Sequence, residues 1–109
     1  MLREAVMRII FCTTAPGEGA PLLRALLSER LVACGNIVPG VRSLYWWKGE
    51  ICDDGEELLI METDSDNIDA KISRIAALHA YEVPKILAVE PTEGLPAYLA
   101  WAAKHTGAV

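Results

Sequence analysis

The stretch VPGVRSLYWWKGEI, residues 38–51, has the composition of a strand. Yet Pro39-Gly40 interrupts it, and three aromatics then follow in a row, Tyr45, Trp46 and Trp47. Successive strand residues face opposite ways, so Tyr45 and Trp47 point to one side and Trp46, with Leu44, to the other. Proline has no N–H to give a ladder, so Pro39-Gly40 is expected to mark a bulge or bend within one strand. Both faces of this aromatic strand need cover, and a chain of 109 residues has little to spare.

Working outward, VACGNIV begins the same strand, and two turns compete to end it. Asp54-Gly55 is the stronger local signal, whereas Lys48-Gly49 makes a tighter connection straight after the tryptophans. ELLIMET (57–63) is the strand that returns. Upstream, AVMRIIFCTT (5–14) is β-rich and bounded by APGEGAP, which predicts a first strand. PLLRALLSERL (21–31) carries Leu22, Leu23, Leu26, Leu27 and Leu31 at helical spacing.

Downstream, Ser65 or Asp66 is placed to cap a second helix whose Ile68, Ile72, Ile75 and His79 share a face. YEVPK leaves that helix, because the residue before proline avoids helical geometry. ILAVE (86–90) is a fourth strand. LPAYLAWAAKH is a last helix, with Pro96 early in it and Tyr98, Trp101, Ala102 and His105 on one face. The order β-α-β-β-α-β plus a C-terminal helix predicts an α+β, ferredoxin-like sandwich: one antiparallel sheet with both long helices on the same side. A single domain over residues 1–109 is expected.

Hydrophobic residues make up 52% of the chain and charged residues 23%, and the net charge is −5. An acidic chain without a Lys/Arg cluster repels phosphate backbones, so no nucleic-acid partner is expected. No apolar run reaches the ~18 residues of a membrane span, and MLREAVMRIIFCTT reads as a first strand, not a signal peptide. Three cysteines without close pairing fit a reducing cytoplasm better than a disulfide framework.

The strands are apolar on both sides. Val6, Ile10 and Cys12 oppose Met7, Ile9 and Phe11; Leu58 and Ile60 oppose Leu59 and Met61; Ile86 and Ala88 oppose Leu87 and Val89. A half-solvated sheet alternates apolar with polar, and two helices cover one face only. Burying one such side chain is worth about 1.5–3 kcal/mol, which favours a homo-oligomer with the Tyr45-Trp46-Trp47 strand among its contacts. The rival is that the last helix folds across the open face.

With this architecture placed, LVACGNIVPGVRSLYWWKGEI, ELLIMET, HAYEVPKI and YLAW, in that order and with FCTTAP near the start, resemble the CutA divalent-cation-tolerance family over nearly the whole chain. The resemblance implies a tight homotrimer in the cytoplasm with a role in divalent metal ion tolerance, copper above all. It implies no enzymatic activity and no organic cofactor, and an architecture similar to PII-like signalling trimers. Relative to the family pattern, Lys48 and Glu50 exchange signs around Gly49, Glu62 stands for a lysine, Lys85 for a glutamate and Ala80 for a common proline. The paired reversal of Glu62 and Lys85 suggests a cross-strand ion pair.

Cys34 and His79 are the family-like candidates for a soft-metal site, since thiolate and imidazole suit copper or zinc. No CxxC, HxxxH or HExxH accompanies them, so such a site would be assembled from separated elements or across subunits. The plainer alternatives are a buried inert thiol and a helix-end histidine. Cys12 reads as core, Cys52 as exposed beside acids, and His105 as packed on Trp101. DDGEE lacks EF-hand spacing and reads as a solvated hairpin tip. Asn36, Tyr45, Trp46, Trp47, Tyr81 and Glu82 fall in the family-like stretches; they line inter-subunit clefts for a small ligand or build the trimer interface itself. No GxSxG, phosphate loop or dinucleotide fingerprint is present, and a non-enzyme is expected. Three functions stand: a metal-tolerance trimer binding metal weakly, a PII-like trimer that binds a small ligand in its clefts, and a trimeric scaffold whose metal phenotypes arise indirectly.

Overall fold

Runs of strand-forming residues separated by glycine and proline turns give seven elements, seen in a computed structural model that describes residues 7–107. They are β1 (Met7–Thr14), α1 (Gly19–Ser28), β2 (Cys34–Trp47), β3 (Glu50–Asp64), α2 (Ile68–Leu78), β4 (Ile86–Val89) and α3 (Pro96–Lys104). Ala5 and Val6, expected to open the first strand, lie outside the described residues. The sheet runs β2-β3-β1-β4 with every neighbouring pair antiparallel, which is the ferredoxin-like order expected from the sequence. No helix among the described residues is long and apolar enough to cross a membrane.

The register sorts the sheet into two faces. Ile10 and Cys12 pair with Met61 and Leu59 and with Ala88 and Ile86, and these residues meet Leu22, Leu23 and Leu26 of α1 and Ile75 of α2 in the main core. Leu27, expected in the same helical stripe, is exposed. Gly35 makes room for this packing: a Cβ there would stand 2.8 Å from Leu23 Cδ1 and 3.0 Å from Met61 Cγ. Gly35→Ala is therefore expected to cost about 1–3 kcal/mol by overpacking, read as a lower urea midpoint with unchanged slope. An unchanged midpoint would mean that Leu23 moves aside freely.

Neither Ser65 nor Asp66 caps α2 as expected. Asn67 takes the cap position in the left-handed region at φ 54°, and the Asp64 carboxylate accepts the Asp66 N–H instead. From α2, Lys71 reaches back to the end of β3 and is only 5% exposed. Its Nζ donates to Thr63 Oγ1 at 2.7 Å and to Asp64 Oδ1 at 2.6 Å. Thr106, just past α3, donates to the other oxygen of Asp64 at 2.7 Å, so one carboxylate ties α2 and the C-terminal segment to β3.

The opposite face carries Ile9, Phe11, Leu58, Ile60, Leu87 and Val89. α3 lies across one end of it, burying Ala102 against Met7 and Ala33 with Tyr98 and Leu99 alongside. That coverage is partial. Leu87 is 56% exposed, and Val38 and Val89 are exposed with it. The rival expectation, a terminal helix folding across the open face, is met at one end.

β2 and β3 run far beyond the helices, which accounts for the 51 × 26 × 23 Å extents. Their turn is Lys48-Gly49, both at positive φ (51° and 82°), as a two-residue primed turn needs. Asp54-Gly55, the stronger signal in the sequence, sits inside β3. The acidic run is thus in strand and not at a solvated tip. Arg42 Nε and Nη2 take Asp53 in a two-pronged pair at 2.9 and 2.7 Å, while the Tyr45 hydroxyl donates to Asp54 from the other face.

Candidate functional site

The bulge expected at Pro39-Gly40 decides which aromatics face the site. Val38 pairs with Leu58 but Val41 pairs with Glu56, so β2 carries one extra residue, with Gly40 at φ 72°. An extra residue reverses the phase of every side chain after it. Tyr45 and Trp47 therefore fall on the open face of the sheet, and Leu44 and Trp46 on the other. Trp46, beside its pairing partner Ile51, is 71% exposed.

Where the hairpin leaves the body, a cleft of about 1000 Å³ opens on that face. Thr13, Leu58 and Glu56 form its floor, the hairpin from Val41 to Trp47 one wall, and Tyr81, Glu82, Val83 and Lys85 the other. Four sequence candidates, Tyr45, Trp47, Tyr81 and Glu82, are brought together here, and Trp46 also lines the wall. Asn36 stands apart, exposed on β2 opposite Ile60.

Two residues missed in the sequence complete the cleft. Glu56, 8% exposed, accepts the Tyr81 hydroxyl at 2.7 Å, and Asp54 accepts that of Tyr45. Both belong to the acidic run that reads as a hairpin tip, and only the register of β3 reveals them. The hydrogen bond to Asp54, helped by burial and nearby negative charge, pushes Tyr45 up to about 12. Burial, then the bond to Glu56, raises Tyr81 as well. Both hydroxyls thus keep their protons and spend them on carboxylates.

His79 caps the end of α2 and holds the far wall. The Tyr81 N–H donates to its Nδ1 at 3.0 Å, so the proton is on Nε2, which donates to the Thr13 carbonyl at 2.8 Å. Both ring nitrogens are engaged inside the chain. Cys34 is elsewhere, at the α3 end of the open face. Its Sγ donates to Glu62 Oε1 at 3.0 Å and lies 2.9 Å from the Tyr98 hydroxyl. Burial, with the hydrogen bond to Glu62 second, raises the Cys34 thiol above its ordinary range.

Cys34 pairs with Glu62 while Thr13, against which His79 rests, pairs with Leu58, four β3 positions away, or roughly 13 Å. One chain therefore does not bring Cys34 and His79 onto one ion. No group of three or more His, Cys, Asp or Glu side chains is clustered to hold a metal among the described residues. Glu62, engaged with Cys34 and Tyr98, forms no ion pair with Lys85, and the expected pair is not made. Cys12 is core, its thiol pushed up to about 11 by burial, with the Glu56 charge adding. Cys52 is half-buried, and His105 packs on Trp101 with ring centres 4.7 Å apart.

Comparison with known proteins gives a consistent picture. A family model described as CutA1 divalent ion tolerance protein matches residues 8–105. The divalent-cation tolerance protein CutA of Thermus thermophilus is 41% identical over 103 residues, covering 93% of this chain and 100% of that protein. Its solved structure superposes with a TM-score of 0.87 at 39% identity, over 93% of this chain and 99% of that one. The chloroplastic protein CutA 1 of rice is 40% identical over 103 residues, 93% of this chain but only 58% of the rice protein's length. A structure described as the PII-like protein CutA of a Nostoc species, in apo form, matches with a TM-score of 0.85 at 33% identity, over 92% of this chain and 97% of that one.

Proposed function

The chain belongs to the CutA1 divalent ion tolerance family, and from that premise we propose that it works as a homotrimer in tolerance of divalent metal ions, copper foremost, binding the ion directly but weakly. The observation that carries the assembly is the apolar sheet face that α3 leaves uncovered, together with the projecting hairpin and its exposed Leu44, Trp46 and Ile51. Soluble single chains seldom leave so much contiguous apolar surface in water. Three copies packing these faces inward would also shield one another's hairpins.

For the metal, Cys34 fits better than His79. Cys34 has a carboxylate at 3.0 Å as a second ligand, whereas coordination by His79 would sacrifice a hydrogen bond at either nitrogen. An ion at Cys34 must displace a thiol proton that burial and Glu62 hold in place, so binding is weak near neutrality and strengthens as pH rises. Titrating the reduced protein with Zn(II) at pH 7 and pH 9 is expected to give at least about tenfold tighter binding at the higher pH. Cys34→Ser should abolish that site with the assembly intact, and His79→Ala should leave its stoichiometry unchanged. Loss in His79→Ala alone would reverse the assignment.

A second reading is favoured by the cleft beneath the hairpin. Its size and its mix of aromatic and polar groups are those of a small-molecule site. On this reading the trimer is a PII-like module whose clefts, closed by a neighbouring subunit, report a bound ligand to a partner. A non-catalytic role is part of both readings. Three free cysteines favour the cytoplasm, although the rice relative is named chloroplastic.

A further inference from the structure

We propose that the cleft beneath the β2–β3 hairpin binds a small organic ammonium ion; this deepens, and rests on, the reading of that cleft as a ligand site. The lining's hydrogen-bond inventory carries it. The Tyr45 and Tyr81 hydroxyls donate their hydrogen bonds to Asp54 and Glu56, so they offer a ligand only oxygen lone pairs. The two carboxylates accept and cannot donate, and the exposed carboxylate of Glu82 adds a third acceptor at the rim.

The Thr13 and Ser43 hydroxyls and the Trp47 indole N–H also line this space as neutral donors, but positive charge is scarce there. Arg42 contributes to the wall, but its guanidinium is spent on Asp53, which strand alternation puts on the other face of the hairpin. Lys85, at the far wall, is the one lining cation without a carboxylate partner among the described residues. Acceptors, negative charge and the rings of Tyr45, Trp47 and Tyr81 together suit a group that only donates and is positive. Lys48 Nζ already stands 5.7 Å over the Trp47 ring, so a lining aromatic carries an ammonium on one face within the chain itself.

Other ligands fit worse. An anion would meet three carboxylates against one lysine. A neutral polyol would leave the negative charge of the lining unanswered and gain nothing from the faces of the rings. A bare metal ion lacks a first shell, because the two inward carboxylates already hold tyrosine hydroxyls and, among the described residues, no three His, Cys, Asp or Glu side chains are grouped to hold an ion.

Three near-isosteric probes test the charge preference on the purified, reduced full chain: benzylamine, benzyl alcohol and benzoate. Isothermal titration calorimetry at pH 7, in phosphate with chelator present, reads binding. Benzylamine should bind at least about tenfold tighter than the alcohol, with benzoate weaker still. Glu56→Gln should weaken benzylamine at least about fivefold and leave the alcohol unchanged. Should Glu56→Gln fail to fold, Tyr81→Phe, which frees Glu56 from its internal donor, should tighten benzylamine selectively.

Equal binding of amine and alcohol, preference for benzoate, or no heat from any probe would overturn the proposal. Sedimentation velocity on the same samples keeps the two readings apart. An intact assembly that ignores benzylamine defeats the ammonium ligand and leaves the cleft reading standing. A single chain that ranks the probes as expected defeats the inter-subunit reading alone.

Discussion

Replacing Lys71 by alanine is expected to lower the unfolding free energy by about 3 kcal/mol or more, among the largest losses any single exchange in this chain should produce. Lys71 is almost wholly buried, and its ammonium satisfies Thr63, the Asp64 backbone carbonyl and the Asp64 carboxylate at once. Its removal strands a carboxylate whose side chain is only 19% exposed. Thr106 would remain as a partner, which puts the expected loss near the lower end of the range for a broken buried pair. Lys71→Met keeps the aliphatic stem and separates lost charge from lost packing.

The same pair sets an acid limb. Burial works to raise the Asp64 carboxyl, but hydrogen bonds from Lys71 and Thr106, the Lys71 charge and the Asp66 N–H outweigh it and hold the group below its ordinary 3.8. A carboxyl lowered in the folded state contributes stability that is fully present above that ordinary value. The contribution is lost as pH falls from there through the folded-state value. Urea midpoints between pH 5 and the onset of acid unfolding should therefore fall more steeply for the native chain than for Lys71→Ala. Parallel curves would show that Asp64 does not draw on Lys71.

Val89→Asp is expected to break the proposed assembly outright. Val89 is on the open face of β4, opposite Ile9 and 45% exposed, so a single chain should tolerate the change. In a symmetric trimer the same carboxylate would be buried in every subunit, each costing several kcal/mol. Every 1.4 kcal/mol is tenfold in affinity, so at micromolar protein the variant should sediment as a single chain of 11.9 kDa with native circular dichroism. Trp46→Ala, on the opposite face of the hairpin, should weaken assembly less. A Val89→Asp protein that keeps the native mass would remove the open face from the interface and with it the main support for the trimer.

Most of the architecture was legible in the sequence because the periodicities were strong. Ile10 and Cys12 against Ile9 and Phe11, Leu22, Leu23 and Leu26 of α1, and Pro96 at the start of α3 all occur where their spacing placed them. The extent of β3 was not legible. Asp54-Gly55 outranks Lys48-Gly49 as a local turn, yet in the fold Asp53 and Asp54 gain Arg42 and Tyr45 as partners across the ladder, and those contacts depend on register. The cap position of α2 was not legible either: it falls at Asn67, while the Asp66 N–H is taken by the Asp64 carboxylate.

The candidate site was half legible. Alternation and the family-like stretches pointed to Tyr45, Trp47, Tyr81 and Glu82. Nothing local marked Glu56 as buried or Glu62 as the partner of Cys34. Cys34 and His79 looked like one donor set only until the fold placed Cys34 at the α3 end of the open face and His79 at the end of α2, against the Thr13 carbonyl.

The two-residue turn also bears on how the chain reaches this fold. β2 and β3 are joined by the shortest loop a ladder allows, so their pairing needs almost no chain closure, and hairpins zip within microseconds. Each rung beyond the turn brings the next into register, whereas β1 and β4 must find each other across some seventy intervening residues. The protruding arm is thus suited to form first and serve as the template on which the slower, long-range half of the sheet is laid down.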